Sequence, residues 1–112
     1  MGDRNETATP PRRYPRVGLP RGPLIAWRGS SGLSVGTITT VSLGGLFIST
    51  DEPAEAGSTL KLLFDAPGGE IRARANVRYI VPGQGMGVQF VNMSYEDRAR
   101  LHQLLSRLLK YE

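Results

Sequence analysis

Residues 71–81 read IRARANVRYIV, and their strict alternation restricts the fold more than any other stretch of the chain. Ile71, Ala73, Ala75, Val77, Tyr79 and Val81 fall on one side of an extended backbone, and Arg72, Arg74, Asn76, Arg78 and Ile80 on the other. A period of two with one apolar face describes a strand that covers a core and faces water on its back. Pro67-Gly68-Gly69 precedes this strand and Pro82-Gly83-Gln84-Gly85 comes after it, both strong turn signals. Met86, Val88 and Phe90 then resume the alternation.

Similar short runs fill the region upstream. Residues 24–28 (LIAWR), 35–42 (VGTITTVS), 46–50 (LFIST) and 59–64 (TLKLLF) are rich in β-branched, aromatic and aliphatic side chains, and Gly, Ser or Pro separates them. Several short strands joined by such turns in fewer than 100 residues predict a small barrel or sandwich. The C-terminal end differs. Ser94 with Asp97 three residues on resembles a capping box. Leu101, Leu104, Leu105, Leu108 and Leu109 form the stripe of an amphipathic helix, expected over residues 94–110. That stripe must cover either an opening of the β structure or a partner's helix. His102 lies off the stripe and is expected to be a solvated helix residue.

At 112 residues the chain suits a single domain. Residues 1–11 are polar, end in Pro10-Pro11, and are expected to be a disordered lead-in to a domain spanning 12–112. Residues 12–23, with three prolines and no period, read as an extended, poorly ordered connector. There is no cysteine and one histidine, which argues against disulfides, thiolate or His-cluster metal sites and most nucleophile systems. No apolar run approaches the ~20 residues of a membrane span. The N-terminus has no hydrophobic segment of the secretory kind, so a soluble cytoplasmic protein is expected. The nucleotide-binding loops GxxxxGK[ST] and strand-linked GxGxxG are missing; Gly83, Gly85 and Gly87 are read as part of a hairpin turn. Asp51, Glu52 and Glu55 share one loop and read as a solvated face. Neither an enzyme nor a cofactor is expected.

Charge placement is the first functional signal. Residues 1–28 hold six arginines against Asp3 and Glu6, while residues 29–112 hold eight basic and eight acidic side chains. The whole net charge of +4 therefore belongs to the N-terminal segment, which suits either solubility or an anionic partner. Its densest part is Arg12-Arg13-Tyr14-Pro15-Arg16. A guanidinium fork donates paired hydrogen bonds to phosphate or to a guanine edge and also stacks on a base. The second candidate is Thr39-Thr40-Val41-Ser42-Leu43-Gly44-Gly45. Thr40 and Ser42, two apart on a predicted strand, should share a face, with the Ser42 hydroxyl available to a phosphate. Gly44-Gly45 would let a bulky group approach the backbone. An ordinary strand end with a bulge explains the same residues equally well.

Together the two patterns resemble the PilZ domain family, bacterial receptors for the second messenger cyclic di-GMP. The RxxxR that precedes the family's barrel is matched by Arg12 to Arg16. The family's second motif, Asp or Asn followed by x-Ser-x-x-Gly, is matched in part by Thr40, Ser42 and Gly45. GMGVQFVNMSYEDRARLHQLL is similar to the family's last strand and closing helix, so the resemblance covers roughly residues 12–110. It implies a six-stranded antiparallel barrel with a C-terminal helix. It also implies a cyclic di-GMP site formed by Arg12, Arg13, Arg16, Thr40, Ser42, Gly44 and Gly45. Ligand binding would order the arm and relay the signal to an effector protein. In the family Arg12 and Arg16 would grip guanine edges and phosphates, Ser42 would touch a phosphate or base, and Gly45 would keep the surface open.

One position departs from the family pattern. Thr40 offers a single hydroxyl where Asp would offer two acceptor oxygens to a guanine edge. Losing that bidentate contact should cost ~1–3 kcal/mol, about one to two decades of affinity. The alternative reading is a degenerate PilZ-like adaptor that binds no nucleotide and works through its surface. A third, a barrel for single-stranded nucleic acid, calls for aromatic rings along a strand face. The polar face of residues 72–80 offers Arg72, Arg74 and Arg78 but no aromatic ring, so nucleic acid is not the expected partner.

Because residues 1–11 contain no apolar stripe to bury, their deletion is expected to leave the thermal midpoint unchanged within a few degrees. A melting curve of the truncated chain checks this.

Overall fold

The computed structural model describes residues 17–19 and 22–109. The expected alternation organises the sheet: β1 (Val17–Gly18), β2 (Leu24–Gly29), β3 (Gly32–Val41), β4 (Gly45–Ser49), β5 (Thr59–Ala66), β6 (Gly69–Val81) and β7 (Gly85–Met93) precede one helix, α1 (Tyr95–Leu109). All pairings are antiparallel. The order β3-β2-β5-β6-β7-β4 closes on itself because β4 pairs with β3 as well as β7. The result is a six-stranded closed barrel with β1 as a seventh strand outside it. Of the barrel and sandwich open to the sequence, the barrel is the fold. Closure removes the unpaired edges of the sheet.

The inward positions form one core. Ile25, Trp27, Ile48, Leu60, Ile71 and Met86 are all buried in it. Burial of each large apolar side chain contributes on the order of 1.5–3 kcal/mol. Strand ends differ from expectation in small ways. Residues 29–34, read as a loop, are mostly strand: β2 and β3 run on until only Ser30 and Ser31 separate them. Gly85 and Gly87 belong to β7 rather than to the hairpin turn.

Two differences are larger. The alternation in β6 does not persist to Val81. Val77 pairs with Val88 and Tyr79 with Gly87, so Arg78 is an extra residue in the ladder, a β-bulge. The bulge reverses the facing of the next two residues. Tyr79 is 40% exposed, whereas Ile80, read as outward, packs partly against the core. Within the connector, Val17 and Gly18 pair with Val41 and Thr40, and Val17 is buried in the core. Leu19 packs partly against the same core, and two such residues have no period to reveal them.

α1 begins as its cap predicts. The Ser94 hydroxyl accepts from the Asp97 backbone N–H at 3.0 Å and donates to the Asp97 carboxylate at 2.8 Å. The helix packs mainly on β6 and also touches β1 and β5. Leu101 and Leu105 are buried and Leu108 is partly buried against the same core, so the stripe covers the barrel of its own chain. Leu104 is half-buried at the edge of the stripe, and the Leu109 side chain lies outside the described residues.

Leu101 has no solvent exposure, so Leu101→Ala should destabilise the protein by ~2–5 kcal/mol. Leu104→Ala should cost less than Leu101→Ala, because its side chain already meets water. Urea unfolding of the two variants, compared by midpoint at constant slope, tests that order.

Candidate functional site

The end of β3 is held from two sides. Val41 lies between Val17 of β1 and Leu46 of β4, and Thr40 between Gly18 and Phe47. Leu19 extends the contact, its N–H donating to the Thr39 carbonyl at 2.8 Å. Thr39 is itself an extra residue in the β3–β4 ladder, so the bulge falls beside the sequence-predicted site. Val41 points inward and is buried, and Thr40 faces out and is half-buried. β1 therefore brings the chain immediately after Arg16 alongside the second motif. Arg12, Arg13 and Arg16 themselves lie outside the described residues.

Ser42 has a different position from the one its spacing suggested. β3 ends at Val41, and Ser42 turns into the protein with only 6% of its surface exposed. Its hydroxyl accepts from the N–H groups of Gly44 at 3.1 Å and Gly45 at 3.2 Å, and donates to the Gly45 carbonyl at 3.2 Å. The Ser42 N–H donates to that same carbonyl at 2.8 Å. A serine hydroxyl has one proton and two lone pairs, and all three are engaged in closing this turn. Thr40 and Ser42 thus do not present their hydroxyls side by side. The strand geometry that would have paired them ends one residue too early.

Gly45 is placed by packing. A Cβ there would lie 2.1 Å from the Val88 carbonyl oxygen of β7, far inside contact distance, so β4 can pair with β7 at this point only through a glycine. Gly44 lends its carbonyl to the Phe90 N–H at 2.9 Å. Both glycines tie the turn to β7.

The outer surface beside Thr40 carries a feature that strict alternation misses. Phe47, Gly87 and Tyr79 form a row across β4, β7 and β6. The Phe47 and Tyr79 rings meet with centroids 6.2 Å apart and planes tilted by 35°. Gly87 makes this contact possible, since a Cβ on it would lie 2.3 Å from the Tyr79 ring. A glycine between Met86 and Val88 in a strand was the available signal for a close approach. Among the described residues no group of His, Cys, Asp or Glu could hold a metal ion. No helix of the described residues is long and apolar enough to cross a membrane.

The chain is thus a closed six-stranded antiparallel barrel with a strand appended next to a glycine turn and a C-terminal helix packed on its side. The family model for the PilZ domain matches residues 10–107, and the chain belongs to that family. Solved structures agree in fold. The K. pneumonia MrkH–c-di-GMP complex superposes with a TM-score of 0.76 at 22% identity, over 91% of this chain and 53% of that one. The Bacillus subtilis inhibitor of motility MotI/DgrA gives 0.72 at 18% identity, over 91% and 53%. The PilZ domain of Escherichia coli YcgR with c-di-GMP gives 0.73 at 18% identity, over 89% and 92%. The chain thus spans about half the length of MrkH and MotI, and nearly all of the isolated YcgR domain. No curated protein matches its sequence.

Ser42→Ala removes the acceptor for two backbone N–H groups in a largely buried turn, so it should cost about 1–3 kcal/mol of stability. Gly45→Ala should cost more than Ser42→Ala, because a backbone carbonyl cannot move aside as a flexible side chain can. Thermal melts of both variants without any ligand test this assignment.

Proposed function

We propose that the protein is a non-enzymatic receptor for cyclic di-GMP. In this reading Arg12, Arg13 and Arg16 grip phosphates and guanine edges, and Thr40 lines the barrel side of the site. One observation carries it: β1 pairs Val17 with Val41 and Gly18 with Thr40, which sets the residues following Arg16 against the strand that leads into the Ser42–Gly45 turn. The two halves of the family pattern, 24 positions apart between Arg16 and Thr40, need that pairing to form one site. The c-di-GMP complexes of MrkH and YcgR support the ligand class.

The roles differ from a simple transfer of the motif. Ser42 and Gly45 act as positioning residues that shape the turn, since the hydroxyl of one is fully engaged and the other is buried against β7. Phe47, directly opposite Thr40, gives a planar base a surface on which to stack. The relay runs through β1, which touches both β3 and α1. Ordering the arm on a ligand changes the hold on β1 and so on the helix, where an effector protein reads it.

The adaptor that binds no nucleotide is the second reading. Thr40 in place of Asp or Asn and the engaged hydroxyl of Ser42 favour it, because both remove ligand contacts.

Calorimetric titration with cyclic di-GMP decides between them. Arg12→Ala and Arg16→Ala should each weaken binding by about tenfold or more without changing stability, matching the loss of a bidentate contact. Thr40→Asp should tighten it by about tenfold. Binding should weaken with added salt. No heat from either the wild type or Thr40→Asp at high ligand concentration leaves the adaptor reading.

A further inference from the structure

The outer face of β2, β5 and β6 carries an arrangement that a sheet does not adopt for stability. Arg28 pairs with Lys61, and Lys61 pairs with Arg74, so three cations stand directly opposite one another across three adjacent strands. Like charges in such positions destabilise a sheet. Among the described residues none of the three has an ion pair, although Arg72 is bridged by Glu70 and Arg100 by Asp97. The row continues into Leu33 on one side and Asn92 on the other. The next row along the strands is Val35, Ala26, Leu63 and Arg72.

These rows surround an open hollow of about 470 Å³, closed at one end by Ser94 and Asp97 of the helix start. Its lining contains Arg28, Lys61, Arg72 and Arg74 but a single carboxylate, Asp97, which Arg100 already holds at 3.1 Å. The apolar part is also exposed: Leu33 is 63% and Leu63 37% open to solvent. A solvated face would have intermingled acids with these cations or left out the leucines.

We propose that this hollow docks an acidic segment of a partner protein, one that carries leucine-like side chains between its carboxylates. Charge complementarity selects the acid, since uncompensated cations at strand spacing meet carboxylates on successive turns or alternate residues. The exposed Leu33 and Leu63 select apolar side chains next to them. Single-stranded nucleic acid fits less well, because the one ring lining the hollow, Trp27, is only 3% exposed and offers no stacking surface. An anionic membrane would attract the same cations, and the vesicle probe below separates it from the peptide. The face centres on β5, three strands from β4 in either direction around the barrel. It therefore lies across the molecule from Thr40 and the Ser42 turn. The proposal names the partner side of the receptor or adaptor and does not rest on nucleotide binding.

The test uses the full chain and a fluorescent 16-residue peptide of glutamates with leucines at every third and fourth position. A lysine-for-glutamate version, oligo-dT and phosphatidylcholine/phosphatidylglycerol vesicles are the comparison probes. Anisotropy and amide chemical-shift mapping are the readouts. The expected result is binding of the acidic peptide alone, with shifts at Arg28, Leu33, Lys61, Leu63 and Arg74. The double variant Lys61→Glu/Arg74→Glu should lose at least about tenfold in affinity, the scale of breaking close charge pairs. Replacing both Leu33 and Leu63 by serine should also weaken it. Replacing Arg12, Arg13 and Arg16 by alanine should leave peptide binding intact, which separates this surface from the nucleotide grip. The proposal is overturned if the peptide does not bind or its shifts map to the arm. It also fails if the charge-reversed variant binds equally well, or if oligo-dT or vesicles occupy the face more tightly than the peptide.

Discussion

Everything in this molecule depends on β4 being hydrogen-bonded along both edges. Five residues, Gly45–Ser49, join β3 to β7, and without them the sheet is an open ribbon with its apolar face in water. The chain must leave β3 and return as β4 within the span of Ser42, Leu43 and Gly44. Such a tight reversal leaves backbone N–H groups without strand partners. The Ser42 hydroxyl satisfies two of them, and Gly45 lets the returning strand lie against the Val88 carbonyl. Ser42 and Gly45 are therefore elements of closure in this chain. Of the motif positions, Ser42 and Gly45 build that reversal, whereas Thr40 lies on the outer side of β3 just before it.

The same division explains what could be read from the sequence. Strands with a clean period were legible: Met86, Val88 and Phe90 of β7 and the alternating apolar residues of the first part of β6 fall inside as their spacing requires. So was α1, because a cap and a leucine stripe are local signals. Legibility failed where a single inserted residue shifts the ladder. Arg78 reverses Tyr79 and Ile80, and the β3 ladder slips at Thr39, beside the motif. A period of two carries no marker for an extra residue, whereas a glycine packed beneath a ring, such as Gly87, does leave one. The Ser42 side chain was misjudged for a related reason. Two-residue spacing implies a common face only while the strand lasts, and the strand ends at Val41. The order of the two motifs pointed correctly to the PilZ family, although each is weak alone.

Closing the barrel also fixes how its surfaces can differ. With six strands around one core, the outer side of β3 and β4 faces away from the outer side of β5 and β6. The first has the appended β1, the glycine turn and the Phe47 ring. The second has three cations in a row, without ion pairs among the described residues, beside exposed leucines. A small anionic ligand and a larger acidic partner would compete for charge if they shared a face. On opposite faces the proposed ligand and the proposed partner would not compete.

β1, with Val17 buried in the core, is one element that links the two faces. It touches α1, which in turn packs on β5 and β6. The ladder that holds β1 is short, two paired residues extended by the Leu19 N–H bond to the Thr39 carbonyl, so side-chain burial carries much of its position. Burying one valine contributes on the order of 1.5–3 kcal/mol, comparable to the ~1–3 kcal/mol of one good bidentate contact to a base. Interactions of similar size acting on the same short strand can bias each other, whereas a strand locked by a long ladder would not respond. If the proposed ligand binds the arm, a tether of this size is what would let that contact bias how the helix is held.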